Sequence, residues 1–188
     1  MHQKRDALGH RREWARGRFR WRAADDRRRA DLDRPQTKLA SGRIAFGLVA
    51  IAVFVLDRIT KNLVVAQIPF GTEVPLLGRF VGIINVHNSG AAFGLVPAGA
   101  GVFLVGSVVV SIGLVVYVAR TPTSLWAGLV LGLILGGTMG NGFDRLVHGT
   151  VTDFVNVHFW PVFNVADSAI SIGVVALIAS YLIRKPTA

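Results

Sequence analysis

Residues 98–119 read AGAGVFLVGSVVVSIGLVVYVA, a stretch with no charged residue that stops at Arg120 and is followed by Thr121-Pro122. A bilayer core of about 30 Å needs about 20 mostly apolar residues in helical form, and a proline just beyond a basic last turn ends a helix. The stretch therefore predicts a transmembrane helix over residues 98–119. Outward from it, three more segments meet the same test. Residues 44–66 begin IAFGLVAIAVFVL, meet Asp57, Arg58 and Lys61, and become apolar again. Residues 124–143 are rich in glycine (Gly128, Gly132, Gly136, Gly137, Gly140), which lets a neighbouring helix approach the backbone closely. Residues 163–183 stop at Arg184-Lys185-Pro186. The fold class expected is a mainly α membrane protein with four spans, and residues 44–185 are expected to form its one membrane domain.

Composition agrees: 52% of the 188 residues are hydrophobic and the mean hydropathy is positive. With no cysteine, disulfides, thiolate metal sites, cysteine nucleophiles and thiol redox chemistry are excluded. Residues 1–43 hold +8 of the net charge of +10. Such a tail suits a disordered cytoplasmic extension that attracts anionic headgroups and orients the first helix. Nucleic-acid binding is the alternative reading of so many arginines and is not expected. A targeting peptide fits less well, because six acidic residues interrupt the arginines and no apolar core precedes Ile44.

The basic tail, Arg120 and Arg184-Lys185 all fall on one side of the four spans. The positive-inside rule makes that side cytoplasmic, with both termini there. The opposite face is then expected to receive residues 67–97 and 144–162, together with every acidic residue beyond the tail. In the first of these connections a Val/Ile-rich run around Arg79–Val86 follows Gly78 and precedes Asn88-Ser89-Gly90, which predicts a small β element on the membrane surface. No internal repeat argues for an inverted-repeat transporter.

Beyond the tail the acidic residues are Asp57, Glu73, Asp144, Asp153 and Asp167. An ionisable group in or near a membrane costs a few kcal/mol on insertion scales, so each needs a partner or a function. Asp57 and Lys61, four apart with the acid first, read as a structural ion pair. Asp144-Arg145, read as lying just past the third span, suggests an interfacial pair, and Glu73 a solvated group. Asp153 lies in GTVTDFV after the Gly149 turn. Asp167 lies in the first turn of the fourth span, where Asn164 can cap the helix and Asp167 complement its positive end.

Capping alone would explain Asp167. Both carboxylates nonetheless reach the same face, and two carboxylates sharing a site hold one proton between them and can act as base and acid. Such a pair needs no metal. His87, His148 and His158 lack metal-ligand spacing and read as surface or aromatic-belt residues.

Taken in order, LDRITKN (56–62), INVHNSGAAFG (84–94), GGTMGNGFDRLVHGTVTDFV (136–155) and FNVADSAISIG (163–173) resemble the bacterial lipoprotein signal peptidases, the signal peptidase II family. The resemblance implies an intramembrane aspartyl endopeptidase that removes the signal peptide of diacylglyceryl-modified prolipoproteins, cutting before the lipidated cysteine. It implies Asp153 and Asp167 as the catalytic pair. It implies supporting or substrate-positioning roles for Asp57, Lys61, Asn88, Asn141, Arg145, Asn164 and Ala166. It further implies an extracytoplasmic β-cradle with a surface helix, no cofactor or metal, membrane lipid as surroundings, and a monomer in the bacterial cytoplasmic membrane. Three departures stand out: Gly142 and Gly94 replace residues common in the family, and the interval from Asp153 to Asp167 is compact. Two rival readings are a small proton or ion transporter using the acids as a relay, and a non-catalytic assembly protein packing through its glycine-rich helix.

Overall fold

The computed structural model describes residues 40–90 and 99–183. The tail through residue 39, residues 91–98 and Arg184-Lys185 lie outside the described residues. Among the described residues, four helices are long and apolar enough to cross a membrane. They are α1 (Ala40–Gln67), α2 (Gly99–Arg120), α3 (Leu125–His148) and α4 (Val165–Ile183). The described residues also form three strands: β1 (Glu73–Leu77) and β2 (Val81–Asn88) between α1 and α2, and β3 (Val151–Asn156) between α3 and α4. They form one antiparallel sheet in the order β1-β2-β3. Because the sheet fills the first connection as far as Asn88, the surface helix expected there would fall on the undescribed residues.

The glycines of α3 explain how the bundle closes. Gly128, Gly132, Gly136 and Gly140 recur every fourth residue and form one ridge, and each abuts α1. A Cβ at Gly132 would lie 2.8 Å from the Phe46 carbonyl oxygen, one at Gly136 2.6 Å from that of Ala50, and one at Gly140 2.7 Å from Asp57 Oδ2. Gly137 and Gly173 do the same between α3 and α4, against Ala166 and Ile134. Helix α3 is thus the central element. Phe46, Ala50, Val118, Leu131 and Leu135 fill the space among α1, α2 and α3. The outward faces keep large apolar side chains exposed, among them Ile51, Val105, Val109 and Val175, as a helix solvated by lipid requires.

Helix ends set the site. Ser124 caps α3 by accepting from Ala127 N at 3.2 Å, and Gly149, left-handed at φ 74°, closes it with its N–H on the Arg145 carbonyl at 3.1 Å. The helix therefore continues past Phe143, so Asp144 and Arg145 belong to its last turns and not to a following connection. The left-handed glycine then turns the chain directly into β3. Asp153, which reads in sequence as a loop residue, is a strand residue: VTDFVN pairs with β2, and Val86 stands opposite Asp153.

Candidate active site

Strand register and helix capping together bring the two carboxylates to one cluster. On β3, Asp153 points away from the face that carries Thr152, and it is 2% exposed. Two residues beyond Asp153, Val155 bridges to Phe163, with Phe163 N donating to Val155 O at 3.1 Å. This bridge folds the compact interval back on itself and sets Asn164, the cap of α4, beside Asp153.

Asn164 is the hub. Its Oδ1 accepts from Asp167 N at 2.9 Å while Asp167 Oδ2 accepts from Asn164 N at 3.2 Å. This is a reciprocal capping box with aspartate in its third position. The capping role and the shared-site role of Asp167 therefore coexist. Asn164 Nδ2 donates to Asp153 Oδ1 at 2.7 Å, to Asn141 Oδ1 at 3.1 Å and to Thr152 O at 3.3 Å. A single asparagine, itself fully buried, thus bonds to both carboxylates. Asn88 Nδ2 supplies the second oxygen of Asp153 at 3.0 Å, and its own amide is oriented by Gly90 N, which donates to Asn88 Oδ1 at 2.8 Å. Asn141 Nδ2 supplies Asp167 Oδ1 at 2.7 Å.

The orientation of Asn141 comes from Lys61. An ammonium can only donate, and Lys61 Nζ donates to Asn141 Oδ1 at 2.8 Å, leaving the amide nitrogen for Asp167. Lys61 is 2% exposed and also pairs with Asp57 Oδ2 and Asp144 Oδ2, both at 2.8 Å. Arg58 completes the group with Asp144 Oδ1 at 2.6 Å and Asp57 Oδ2 at 3.2 Å. Two cations and two anions balance, which is how charges persist out of water. Asp57 also joins two helices, because its Oδ1 accepts from Ala166 N at 3.1 Å and so binds α1 to the first turn of α4. Ala166 is fully buried against Gly137, so a larger side chain has no room there.

The expected pair of Asp57 and Lys61 is present but is half of a larger network. Asp144 pairs with Arg58 and Lys61 and not with its neighbour Arg145, since adjacent helical residues do not face each other. Arg145 instead donates to Asn141 O at 3.3 Å and lies over the Phe103 ring, 5.2 Å from its centroid. Sequence reasoning passed over Arg58, although a second cation inside an apolar span was the available signal. Glu73, read as solvated, is paired with His158 at 3.2 Å, and His87 rests against Phe70.

Burial pushes the Asp153 carboxyl up from 3.8 to about 6. The Asp167 carboxylate pushes in the same direction, while hydrogen bonds from Asn88 and Asn164 and the charge of Lys61 oppose it. Asp153 thus holds its proton more tightly than an ordinary aspartate.

Four helices apolar enough to span a membrane thus carry, at the sheet end of the bundle, two carboxylates bonded to one asparagine, and the family match makes the chain a membrane-embedded peptidase. The family model described as signal peptidase (SPase) II matches residues 49–183. Lipoprotein signal peptidases are similar along most of their length. That of Gloeobacter violaceus is 43% identical over 140 residues, 73% of this chain and 81% of the relative. That of Rhodococcus jostii is 41% identical over 155 residues, 79% and 78%. A bacterial membrane enzyme solved by the in meso method at 1.9 Å resolution superposes with a TM-score of 0.68 at 28% identity, covering 73% of this chain and 92% of that one. The chain belongs to the signal peptidase II family.

Proposed function

We propose that Asp153 and Asp167 are the catalytic dyad of a peptidase that removes the signal peptide of diacylglyceryl-modified prolipoproteins, cutting before the lipidated cysteine. The observation that carries this reading is Asn164, which bonds to both carboxylates and so ties them into one site. Family membership supplies the substrate class.

Asp167 sits at the positive end of α4 and accepts from a backbone N–H and from an amide polarised by Lys61, which suits the ionised partner. Asp153, which lies off the helix terminus and accepts from two neutral side-chain amides, suits the partner holding the proton. Asp167 takes a proton from a water as the water oxygen bonds to the scissile carbonyl carbon. Asp153 donates to the carbonyl oxygen, and proton return through the pair lets the amine leave neutral as the C–N bond breaks. One product is the signal peptide with a new carboxylate, and the other begins with the lipidated cysteine. The apolar helix faces suit a substrate that arrives through lipid. The protein on this reading is a monomer in the bacterial cytoplasmic membrane. By the positive-inside rule both termini are cytoplasmic, and the sheet and dyad lie at the extracytoplasmic face.

The test is purified protein in lipid nanodiscs offered one prolipoprotein in lipidated and unlipidated form, with products read by mass spectrometry. Cleavage before the cysteine of the lipidated form alone is expected. Cleavage of both forms at equal rate, or at another bond, would refute the substrate assignment.

A further inference from the structure

Between β3 and α4 the chain forms a loop, residues 157–162, closed at its neck by the Val155–Phe163 bridge. Its tip presents Phe159, 88% exposed, and Trp160, 64% exposed. With Phe163 these aromatics wall a groove of about 440 Å³ that runs along α4 past Ser171 and Ile172 and includes Asp167 in its lining. Little apolar burial fixes the loop tip, so its position must be set by other contacts.

Those contacts converge on Glu73. His158 adopts φ 60°, a left-handed conformation that is unfavourable for a non-glycine residue and needs support from its surroundings. Its N–H donates to Asn156 Oδ1 at 2.9 Å, its ring Nε2 lies 3.2 Å from Glu73 Oε1, and Asn156 Nδ2 donates to the same Glu73 oxygen at 3.3 Å. Glu73 belongs to β1, whereas the loop leaves β3, two strands away. Its side chain passes directly over β2 at Gly82, the residue paired with Asn156, and a Cβ at Gly82 would overlap the Glu73 carboxylate. The missing side chain at 82 is what lets the far strand reach the loop.

We propose that Glu73 and His158 are positioning residues whose clamp across Gly82 holds the 157–162 loop as one wall of the groove at Asp167. The clamp thereby sets how tightly the prolipoprotein segment flanking the scissile bond is held. The groove is assigned to the substrate by its continuity with Asp167, so this part rests on the peptidase reading, while the clamp itself does not. Neither residue touches the reacting atoms.

Two measurements on the full chain in nanodiscs separate the claims. Hydrogen–deuterium exchange in Glu73→Ala, His158→Ala and Gly82→Ala is expected to rise in residues 156–163 and stay unchanged in α3 and α4. In the cleavage assay the same variants are expected to raise KM about fivefold, the order of one lost hydrogen bond, with kcat within about twofold. The Glu73→Ala/His158→Ala double variant should be no worse than either alone, as for two members of one contact. Glu73→Gln, which keeps an acceptor for Asn156, should recover part of the loss. Unchanged loop exchange in all three variants overturns the clamp, and a fall in kcat at constant KM overturns its role in substrate affinity. Absence of cleavage by the unmutated protein would refute the peptidase reading and leave the exchange result to decide the clamp.

Discussion

Replacing Asp153 or Asp167 with asparagine is expected to slow prolipoprotein cleavage by about 10³-fold or more, since each change removes a proton-transferring group from the pair. Asparagine keeps the shape of aspartate but gives one arm as a donor. At position 153 both arms face donors whose amides are fixed elsewhere, Asn88 by Gly90 and Asn164 by Asp167. One N–H then meets another, which costs about 1–3 kcal/mol of stability. The rate must therefore be measured on protein shown by thermal denaturation to be folded. A folded Asp153→Asn or Asp167→Asn variant that cleaves at the unmutated rate would remove that residue from the dyad.

The second large effect concerns Lys61. Lys61→Met leaves Asp57 with Arg58, and Asp144 with Arg58 and the more distant, exposed His148. Removing one member of a buried ion network costs about 3–5 kcal/mol, because a desolvated charge is left uncompensated. A marked fall in Tm is expected, and activity should fall with it for a separate reason. Without the ammonium, Asn141 Oδ1 keeps the longer bond from Asn164 Nδ2 but loses its charged donor, so the amide is held less firmly with its nitrogen toward Asp167. Lys61→Arg should not restore function, since a planar guanidinium is longer and cannot make three short bonds from one nitrogen. An unchanged Tm and rate in Lys61→Met would show that the network is not part of the site's support.

Much of this architecture was legible in the chain because lipid imposes strong rules. Uncharged stretches of about 20 residues have few alternatives to a spanning helix, and the glycine richness of residues 124–143 signalled a close helix contact. The pair at 57 and 61 followed from helical periodicity. What escaped were relations between distant segments. Nothing local to VTDFVN specifies that it pairs with residues 81–88, so Asp153 read as a loop residue. Asp144 was matched to its sequence neighbour, when the helix turns the two side chains apart and only the α1–α3 approach reveals Arg58 and Lys61 as its partners. Glu73 read as solvated because its partner, His158, stands on the far side of the sheet. Asn164 was recognised as a cap, yet its bond to Asp153 depends on the Val155–Phe163 bridge, a contact no local pattern announces.

The central claim is that Asp153 and Asp167 share one site, and the most direct measurement is the titration of Asp153 followed by infrared spectroscopy of carboxyl-labelled protein. In the unmutated chain the Asp153 carboxyl should titrate at about 6. In Asp167→Asn a neighbouring negative charge is gone, the ionised form of Asp153 is less disfavoured, and its pKa should fall. An Asp153 pKa that is unchanged or raised in Asp167→Asn would mean that the two carboxylates do not feel each other, and the dyad would have to be abandoned.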